Sequence, residues 1–339
     1  MAKVFKSTNS QLRILRDRGM IVRNGSRIKK ILETENYYNI INGYKDLFLD
    51  KTDTFSEEKY IKNTNFMEVY ALYLFDREIR SIFLKYILEI ENNIKTVLAY
   101  EFSKKYGHDN YLRVENFDTA NRARDSKKTK AQKVGEVSQL IVNIQKEIAK
   151  QLTKNNPMIS HYMLKEGYVP LWVLVNILTL GTISAFYQNL KQEDQNNIGR
   201  KFFMHPDEMM SILLVLTVFR NQCAHDGRLY NMKAVKKNGQ PNSIKTNQIH
   251  RNLAIPFDTG NNPQYGKNDL FAIVIIFKLM LPKSSFNKFF FALKKEISSL
   301  EKKLRKVGIN VILREMGFPS NWMDIKEIGH SCSLPLTKA

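Results

Sequence analysis

The sequence predicts an all-α protein. Long segments contain neither proline nor glycine, because the 339 residues include only 9 Pro and 15 Gly. Apolar residues recur at spacings of three and four, which is the period of an amphipathic helix. No long segment alternates apolar and polar residues as a half-buried strand would. The chain is long enough to bury a substantial core, and these observations together indicate that helices build it.

The first element is an N-terminal helical region, residues 1–60. Residues 8–18 have the pattern of a short helix that stops at Gly19. Ser26 is the expected cap of a second helix. Residues 36–48, NYYNIINGYKDLF, are rich in aromatic side chains. We expect this last stretch to form a helix and turn that dock the region on the body of the protein.

The main domain is expected over residues 61–310. Its strongest helix prediction covers residues 65–105, where apolar side chains recur at threes and fours, and Gly107 ends it. The polar stripe of this helix carries Asp76, Arg77, Arg80, Glu89, Glu91, Asn92, Asn93 and Lys95.

A basic insert, residues 118–155, follows. Six basic residues and the single acid Asp125 lie within residues 122–133. A weakly amphipathic helix then extends to about Leu152, and Asn155-Asn156-Pro157 breaks it.

Residues 169–190 are predicted to form one helix interrupted at Gly181, or two short helices. His205-Pro206-Asp207 begins the next helix, with Pro206 in its first turn, and we expect that helix to reach about Arg228. Residues 227–251 form a polar basic loop with six Lys or Arg and no acid. Residues 270–282 and 284–306 are two additional C-terminal helices, and residues 311–339 form a tail.

The balance of charge is unusual for a globular protein. Fifty-three Lys and Arg against 33 Asp and Glu leave a net charge of +20. Such an excess indicates a polyanionic partner, nucleic acid first and an anionic membrane second. Two cysteines without a CxxC spacing argue against structural zinc and fit a reducing compartment. Without an apolar signal core or a long apolar span, we expect a cytoplasmic protein that does not enter a membrane.

The densest polar cluster is FRNQCAHDGRLYN, residues 219–231. On a helix, Asn221, His225 and Arg228 lie at i, i+4 and i+7 and share one face, which the long stem of Arg220 can also reach. Arginine binds non-bridging phosphate oxygens with a planar fork, and histidine transfers protons near neutral pH. This set of side chains suits a phosphodiester.

RNA cleavage would need little more than these groups. The ribose 2′-OH is an internal nucleophile, so deprotonation and stabilisation of the phosphorane yield a 2′,3′-cyclic phosphate and a 5′-OH. No metal is required, and DNA lacks the hydroxyl. A structural alternative stays open, because the dipole at a helix C-terminus also favours His and Arg. A second Arg-x4-His pair, Arg200 with His205, straddles the helix break at Pro206.

Four motifs in order carry a family resemblance. They are QLRILRDRGMIV with NYYNIINGY, LYLFDREIRSIFLKYILEIENNIKTVLAYEFSKKYG, LWVLVNILTLGTISAFYQNL, and FRNQCAHDGRLYN with its Arg-Asn-x-x-x-His spacing. Together they resemble the Abi-like abortive-infection proteins of bacteria, within the HEPN superfamily. The likeness covers most of the chain.

The resemblance implies a HEPN-type four-helix bundle with an N-terminal helical extension and additional C-terminal helices. It implies a metal-independent endoribonuclease toxin of an antiphage or toxin–antitoxin system, without a cofactor. Arg220 and His225 match the catalytic pair, and Asn221 the intervening polar residue. HEPN nucleases usually work in pairs, so a homodimer is implied, as is a noncoding RNA that restrains the toxin. The remaining motif residues, Arg228, Tyr230 and Asn231, are expected to support the site.

One position departs from the family pattern. Asn176 stands where an acid is expected after WVLV, which weakens a contact to the active face. Glu89 or Glu91 on the earlier helix could instead orient Arg220, although acids on a long helix are usually solvated or paired with lysine.

The basic segments supply candidate RNA contacts. The residues are Arg122, Arg124, Lys127, Lys128, Lys130, Lys133, Lys233, Lys236 and Lys237. A third basic run covers residues 294–306. Any single run is usually only a solvated face. The main alternative function is therefore a catalytically inactive HEPN protein that binds RNA, and nucleotide transfer ranks lower because no ATP-binding or metal motif is present.

Overall fold

The computed structural model describes residues 4–51, 58–120 and 128–329, and within them the all-α prediction is confirmed. The only β pairing in these ranges consists of isolated bridges, such as Ile21 with Asn65. The α-helices are α1 (Thr8–Asp17), α2 (Gly25–Glu35), α3 (Phe66–Tyr106), α4 (Lys130–Thr153), α5 (Pro157–Glu166), α6 (Leu171–Leu174), α7 (Leu180–Asn189), α8 (Gln192–Lys201), α9 (Pro206–Ala224), α10 (Gln248–Asn252), α11 (Leu270–Met280), α12 (Lys283–Glu301) and α13 (Ile309–Glu315). Shorter 3-10 or π turns are Tyr38–Asn42, Lys45–Phe48, Asn110–Leu112, Val114–Asn116 and Trp322–Lys326.

The longest helix, α3, begins and ends where its sequence signals predict. The Asn65 side chain caps the start by accepting a hydrogen bond from the backbone of Met67 at 2.9 Å. Gly107 follows the end with a φ of 88°, a conformation that favours glycine. The buried carboxylate of Glu68 accepts the backbone N–H groups of Arg305 (2.6 Å) and Lys306 (2.8 Å). The start of α3 is thereby joined to the segment after α12.

Around α3 pack α9, α11 and α12, and α11 also contacts α9 and α12. Almost every residue of α11 is buried, which explains its unbroken apolar sequence. The assignment of these helices to a HEPN-type bundle stays a prediction. Among the described residues no single helix is long and apolar enough to cross a membrane, while α8 and α9 reach that length and composition only together, across a 74° bend.

The N-terminal helices dock on α3, as the aromatic segment predicted. Phe48 is fully buried, and the Glu35 carboxylate accepts hydrogen bonds from the Tyr73 hydroxyl at 2.8 Å and from Arg77 at 3.1 Å. The expected cap of α2 was wrong. The helix begins at Gly25, one residue before Ser26, and the capping side chain is that of Asn24, which accepts from the backbone of Arg27.

Residues 169–190 form two helices, one of the two predicted arrangements. The break lies at residues 175–179 rather than at Gly181, and the Thr179 side chain caps α7. Gly181 sits inside α7, where a side-chain Cβ would lie 3.6 Å from Thr217 of α9. Helices α5, α8 and α10 were not predicted, and α10 occupies the end of the segment expected to be a basic loop. Asn156 caps α5 and Pro157 is its first residue, so the signal that ends α4 also begins α5. The expected C-terminal tail holds α13 and the turn at Trp322–Lys326.

Lys278 is a buried cation within α11. The residue is 1% exposed, and its Nζ donates to the carbonyl of Lys326 at 3.0 Å and lies 4.7 Å from the centre of the Phe286 ring. Burial lowers the pKa of Lys278 to about 8, below the 10.5 of an unfolded lysine. Between these pH values the unfolded chain binds more protons than the folded protein. Lys278 therefore makes folding more favourable as the pH rises through this range.

We expect the wild type to gain about 2 kcal/mol of unfolding free energy relative to Lys278→Met between about pH 7 and pH 10. Urea unfolding of both proteins at both pH values measures it. Burial raises the pKa values of Cys223 and of tyrosines such as Tyr230, and these groups make folding less favourable as the pH rises. Both proteins contain them, so their effect disappears from the difference between the two unfolding free energies. A difference that stays constant with pH would contradict the prediction.

Candidate functional site

Helix α9 is held firmly from its first turn to its last. Pro206 begins it as predicted, and the Glu208 carboxylate accepts the backbone N–H of His205 at 3.0 Å. The predicted apolar side is buried: Ile212, Leu213, Leu216 and Phe219 are each at most 3% exposed. The last turn of α9 therefore presents its polar residues from a fixed position.

The helix ends at Ala224, and the predicted end near Arg228 was wrong. His225 is the C-terminal cap, and its backbone N–H donates to the carbonyl of Asn221 at 3.0 Å. Asp226 follows in the left-handed region with a φ of 56°, which Asp tolerates better than most residues. The N–H of Gly227 then reaches back to the carbonyl of Gln222 at 3.2 Å, which closes a Schellman turn.

This ending separates the predicted motif residues into two groups. Asn221 and His225 are exposed at the last turn and cap of α9, beside the partly buried Arg220. Arg228 lies beyond the helix, so it does not share the helical face with Asn221 and His225. These exposed side chains and the Arg220 guanidinium form the candidate site.

The other group supports the fold. Arg228 donates to the carbonyl of Gly43 and lies 3.8 Å from Asp46, so it braces the N-terminal region. Tyr230 is 1% exposed and stacks on Tyr44, with ring centres 5.8 Å apart. Arg228 and Tyr230 therefore contribute to the site only indirectly, because they hold the turn that follows α9 in position. Asn231, next to Tyr230, is partly buried.

An ion-pair chain anchors Arg220. Its Nε lies 3.4 Å from one carboxylate oxygen of Glu91, and the other oxygen lies 2.8 Å from the Nζ of Lys95. Glu91 is 4% exposed, whereas Glu89 is exposed. Of the two acids considered from the sequence, Glu91 is the one that contacts Arg220. This contact uses the Nε–H, which is one of the five N–H donors of the guanidinium, and the other four lie on the two terminal nitrogens.

The loop after α9 is held by Asp76, a fully buried acid of α3. Its carboxylate accepts the backbone N–H groups of Leu229 (3.0 Å) and Tyr230 (2.6 Å) and the hydroxyl of Tyr44 (2.7 Å). Burial raises the pKa of Asp76, and these donors act against that rise. Burial of the phenol raises the pKa of Tyr44, and the negative charge of the Asp76 carboxylate raises it further.

Arg80 completes this arrangement one helical turn later. It lies 3.3 Å from Asp76, donates to the carbonyl of Gly227 at 2.9 Å, and pairs with the exposed carboxylate of Asp226. The polar stripe predicted for α3 is therefore partly buried, because Asp76, Arg80 and Glu91 face α9 and its loop rather than solvent. The Asp76–Arg80 pair fixes the conformation of the backbone that follows His225.

Sequence reasoning placed Asp76 and Arg80 on the polar stripe of the long helix and assigned them no role in the site. The available signal was their i, i+4 spacing on one helical face, with Leu72 four residues before Asp76 and Leu84 four residues after Arg80. Charged residues on an apolar helical face are often buried and paired. The Asp226-Gly227 step was likewise a turn signal that marks the end of α9.

Cys223 lies in the last turn of α9 and is buried. Burial raises the pKa of its thiol to about 12, so it is present as the unreactive neutral form. Among the described residues, no group of three or more His, Cys, Asp and Glu side chains lies close enough to hold a metal ion.

The candidate RNA contacts divide in three. Arg122, Arg124 and Lys127 lie outside the described residues. Lys128 and Lys130 are exposed, and so are Lys233, Lys236 and Lys237 in the loop. Lys133 is 7% exposed and its Nζ donates to the carbonyl of Ala120 at 2.8 Å. Its predicted role as a phosphate contact was wrong, because the helix that carries it turns this side chain inward.

Comparison with known protein families gives a match. The sequence model of the family described as Abi-like protein matches residues 30–231, more than half of the 339 residues. The matched part reaches from α2 through α9 and its loop, so it contains Asp76, Glu91, Arg220 and His225. No curated protein and no solved structure matches the chain.

Proposed function

This chain belongs to the Abi-like protein family of abortive-infection defence, and we propose that it is an endoribonuclease. The observation that carries the proposal is the end of α9. There an arginine anchored by a buried acid stands beside an exposed asparagine and an exposed histidine. A phosphodiester needs a cation for its oxygens and a group that transfers protons, and this end of α9 supplies both.

In the proposed reaction the ribose 2′-OH attacks the adjacent phosphorus. The 2′-O–P bond forms, the P–O5′ bond breaks, and the proton lost by the 2′-OH is balanced by one delivered to the O5′ leaving group. The products are a 2′,3′-cyclic phosphate and a 5′-OH. All atoms come from the RNA itself, so the step needs no co-reactant and no metal.

Three side chains have distinct proposed roles. Arg220 binds the non-bridging oxygens of the scissile phosphate, since its terminal guanidinium nitrogens are not the ones that contact Glu91. His225 transfers a proton or stabilises the developing charge. Asn221 positions the 2′-OH. Because Glu91 and the Asp76–Arg80 pair fix both ends of this group, little reorganisation is needed when RNA binds.

The partners follow from the charge and from the single motif. With a net charge of +20 the protein attracts RNA over a wide area. We propose RNA both as substrate and as a noncoding partner that restrains the toxin. Since one chain carries one motif, two chains in a homodimer would bring two such helix ends together, as in other HEPN nucleases.

The test is cleavage of labelled total RNA by the purified protein in EDTA, with His225→Ala alongside. We expect wild type to cleave and to leave 2′,3′-cyclic phosphate ends, and His225→Ala to lose about 100-fold or more of this activity. His161→Ala is the matched control, because His161 is another exposed histidine, on α5. The folded state should be preserved in both variants, since both side chains are at the surface.

Cleavage by His225→Ala at the wild-type rate would overturn the assignment. If neither protein cleaves and RNA co-purifies, the bound RNA is removed and the assay is repeated. Continued inactivity of the stripped wild type would replace the nuclease by the alternative, a catalytically inactive RNA-binding protein.

A further inference from the structure

A groove of about 580 Å³ runs along α3 next to the candidate site. Helix α3 forms one wall, and α6 with the residues after it forms the other. Lys95 belongs both to the lining of the groove and to the ion-pair chain that anchors Arg220. The groove therefore starts where the candidate site ends, and its size is that of a small-molecule site.

Two large aromatic side chains line this groove and are open to solvent. Trp172 is 53% exposed and Tyr100 is 62% exposed, whereas the other tryptophan, Trp322, is 3% exposed. Trp172 is held in place, because the ring of His108 lies 5.7 Å from it and is itself bonded to the hydroxyl of Tyr168 at 2.6 Å. An exposed aromatic face that is fixed in position is suited to stacking with a planar ligand.

The groove also offers polar and cationic groups. The exposed Lys104 lies at its rim, whereas Lys95 is held in its ion pair with Glu91. Asn176, the departure from the family pattern, donates to the carbonyls of Trp172 and Val173 and so fixes this wall.

From these contacts we infer that the groove binds unpaired nucleobases of the RNA strand whose phosphate lies at Arg220. The inference rests on the proposed function for the position of that phosphate. Flat aromatic faces bind bases by stacking, and the exposed Lys104 at the rim attracts the phosphates that connect them. Bases inside a duplex are already stacked on each other, so only unpaired bases can use Trp172.

Binding is measured separately from cleavage by using short labelled oligodeoxynucleotides, which lack the 2′-OH. Fluorescence anisotropy gives their Kd for wild type, Trp172→Ala and Tyr100→Ala. The matched control is Phe291→Ala, since Phe291 is an aromatic residue 55% exposed on α12, away from the groove lining. We expect each groove variant to weaken binding about 10-fold and the control to leave it unchanged.

A second probe is an abasic oligonucleotide, which keeps the phosphates and removes the bases. We expect the ordinary oligonucleotide to quench the tryptophan fluorescence of the wild type and the abasic one to leave it unchanged. Equal binding by the groove variants and the control, or equal binding of the two oligonucleotides, overturns the inference. Loss of self-association in Trp172→Ala with unchanged oligonucleotide binding also overturns it, because the groove would then be a contact between two copies.

The RNA-cleavage assay applied to the same variants separates this inference from the proposed function. If wild type does not cleave RNA but Trp172→Ala still loses oligonucleotide binding, the result supports the base-binding groove and contradicts the proposed nuclease activity. If wild type cleaves RNA and the groove variants bind and cleave as wild type does, the result supports the nuclease activity and contradicts the base-binding groove.

Discussion

Replacement of Arg220 by alanine is expected to reduce RNA cleavage about 100- to 1,000-fold, since a positioned cation is lost where charge develops in the reaction. The fold should be retained. Arg220 is partly exposed, and Glu91 keeps its ion pair with Lys95 at 2.8 Å when the arginine is removed. Arg220→Lys should recover part of the activity, because it restores the charge but not the planar pair of donors. Initial rates of cleavage of one labelled RNA measure these effects.

The motif contains its own matched control, Arg228. This second arginine contacts Gly43 and Asp46 of the N-terminal region rather than Glu91. Arg228→Ala should therefore lower stability slightly and keep most of the cleavage activity. If the two alanine variants lost the same fraction of activity, the distinction that the end of α9 draws between the two arginines would be wrong.

Replacement of Asp76 by alanine is expected to lower the free energy of unfolding by about 3–5 kcal/mol. The change leaves two buried backbone N–H groups, of Leu229 and Tyr230, and the Tyr44 hydroxyl without their acceptor. It also removes the buried partner of Arg80. Buried donors that lose their acceptor carry the full cost of their desolvation. Urea unfolding measures the effect.

Asp46→Ala is the control for this experiment. Asp46 is 56% exposed in its side chain and lies 3.8 Å from Arg228, so its removal should change stability by less than about 0.5 kcal/mol. Asp76→Asn should fall between the two, since the amide oxygen still accepts hydrogen bonds while the charge is lost. An Asp76→Ala protein as stable as Asp46→Ala would show that the loop does not depend on this acid.

The Arg220 and Asp76 variants both test how helix α3 positions the end of α9. Arg220 is placed by Glu91, a buried acid on α3, and the chain after His225 is placed by Asp76, about four helical turns earlier on the same helix. Helix α3 thus fixes the candidate site from both sides, while the reactive groups themselves stay at the surface. We expect the Arg220 variants to change activity more than stability, and the Asp76 variants to change stability more than activity.

Much of the secondary structure follows from local signals. The ends of α3 are marked by Asn65 and Gly107, and the start of α9 by Pro206. Among the missed helices, α5 and α8 are ten residues each and lie in strongly polar or broken patterns, where the periodic signal is weak. The other two, α10 and α13, are shorter still. The end of α9 was overestimated because the spacing of its polar residues continues past the point where Asp226 turns the backbone.

By itself, the sequence determined that the chain is helical, that α9 ends in a dense polar motif, and that the protein is basic. Those properties depend on periodicity, caps and composition, which are local. Only the tertiary structure decided which polar residues face inward. Glu91 meets Arg220 across 129 residues of sequence, and Asp76 meets Leu229 across 153. Whether an acid on a helix is solvated or buried depends on what packs against it. Here the packing segments, α9 and the loop after it, are distant from α3 in sequence, so local signals do not reveal the contact.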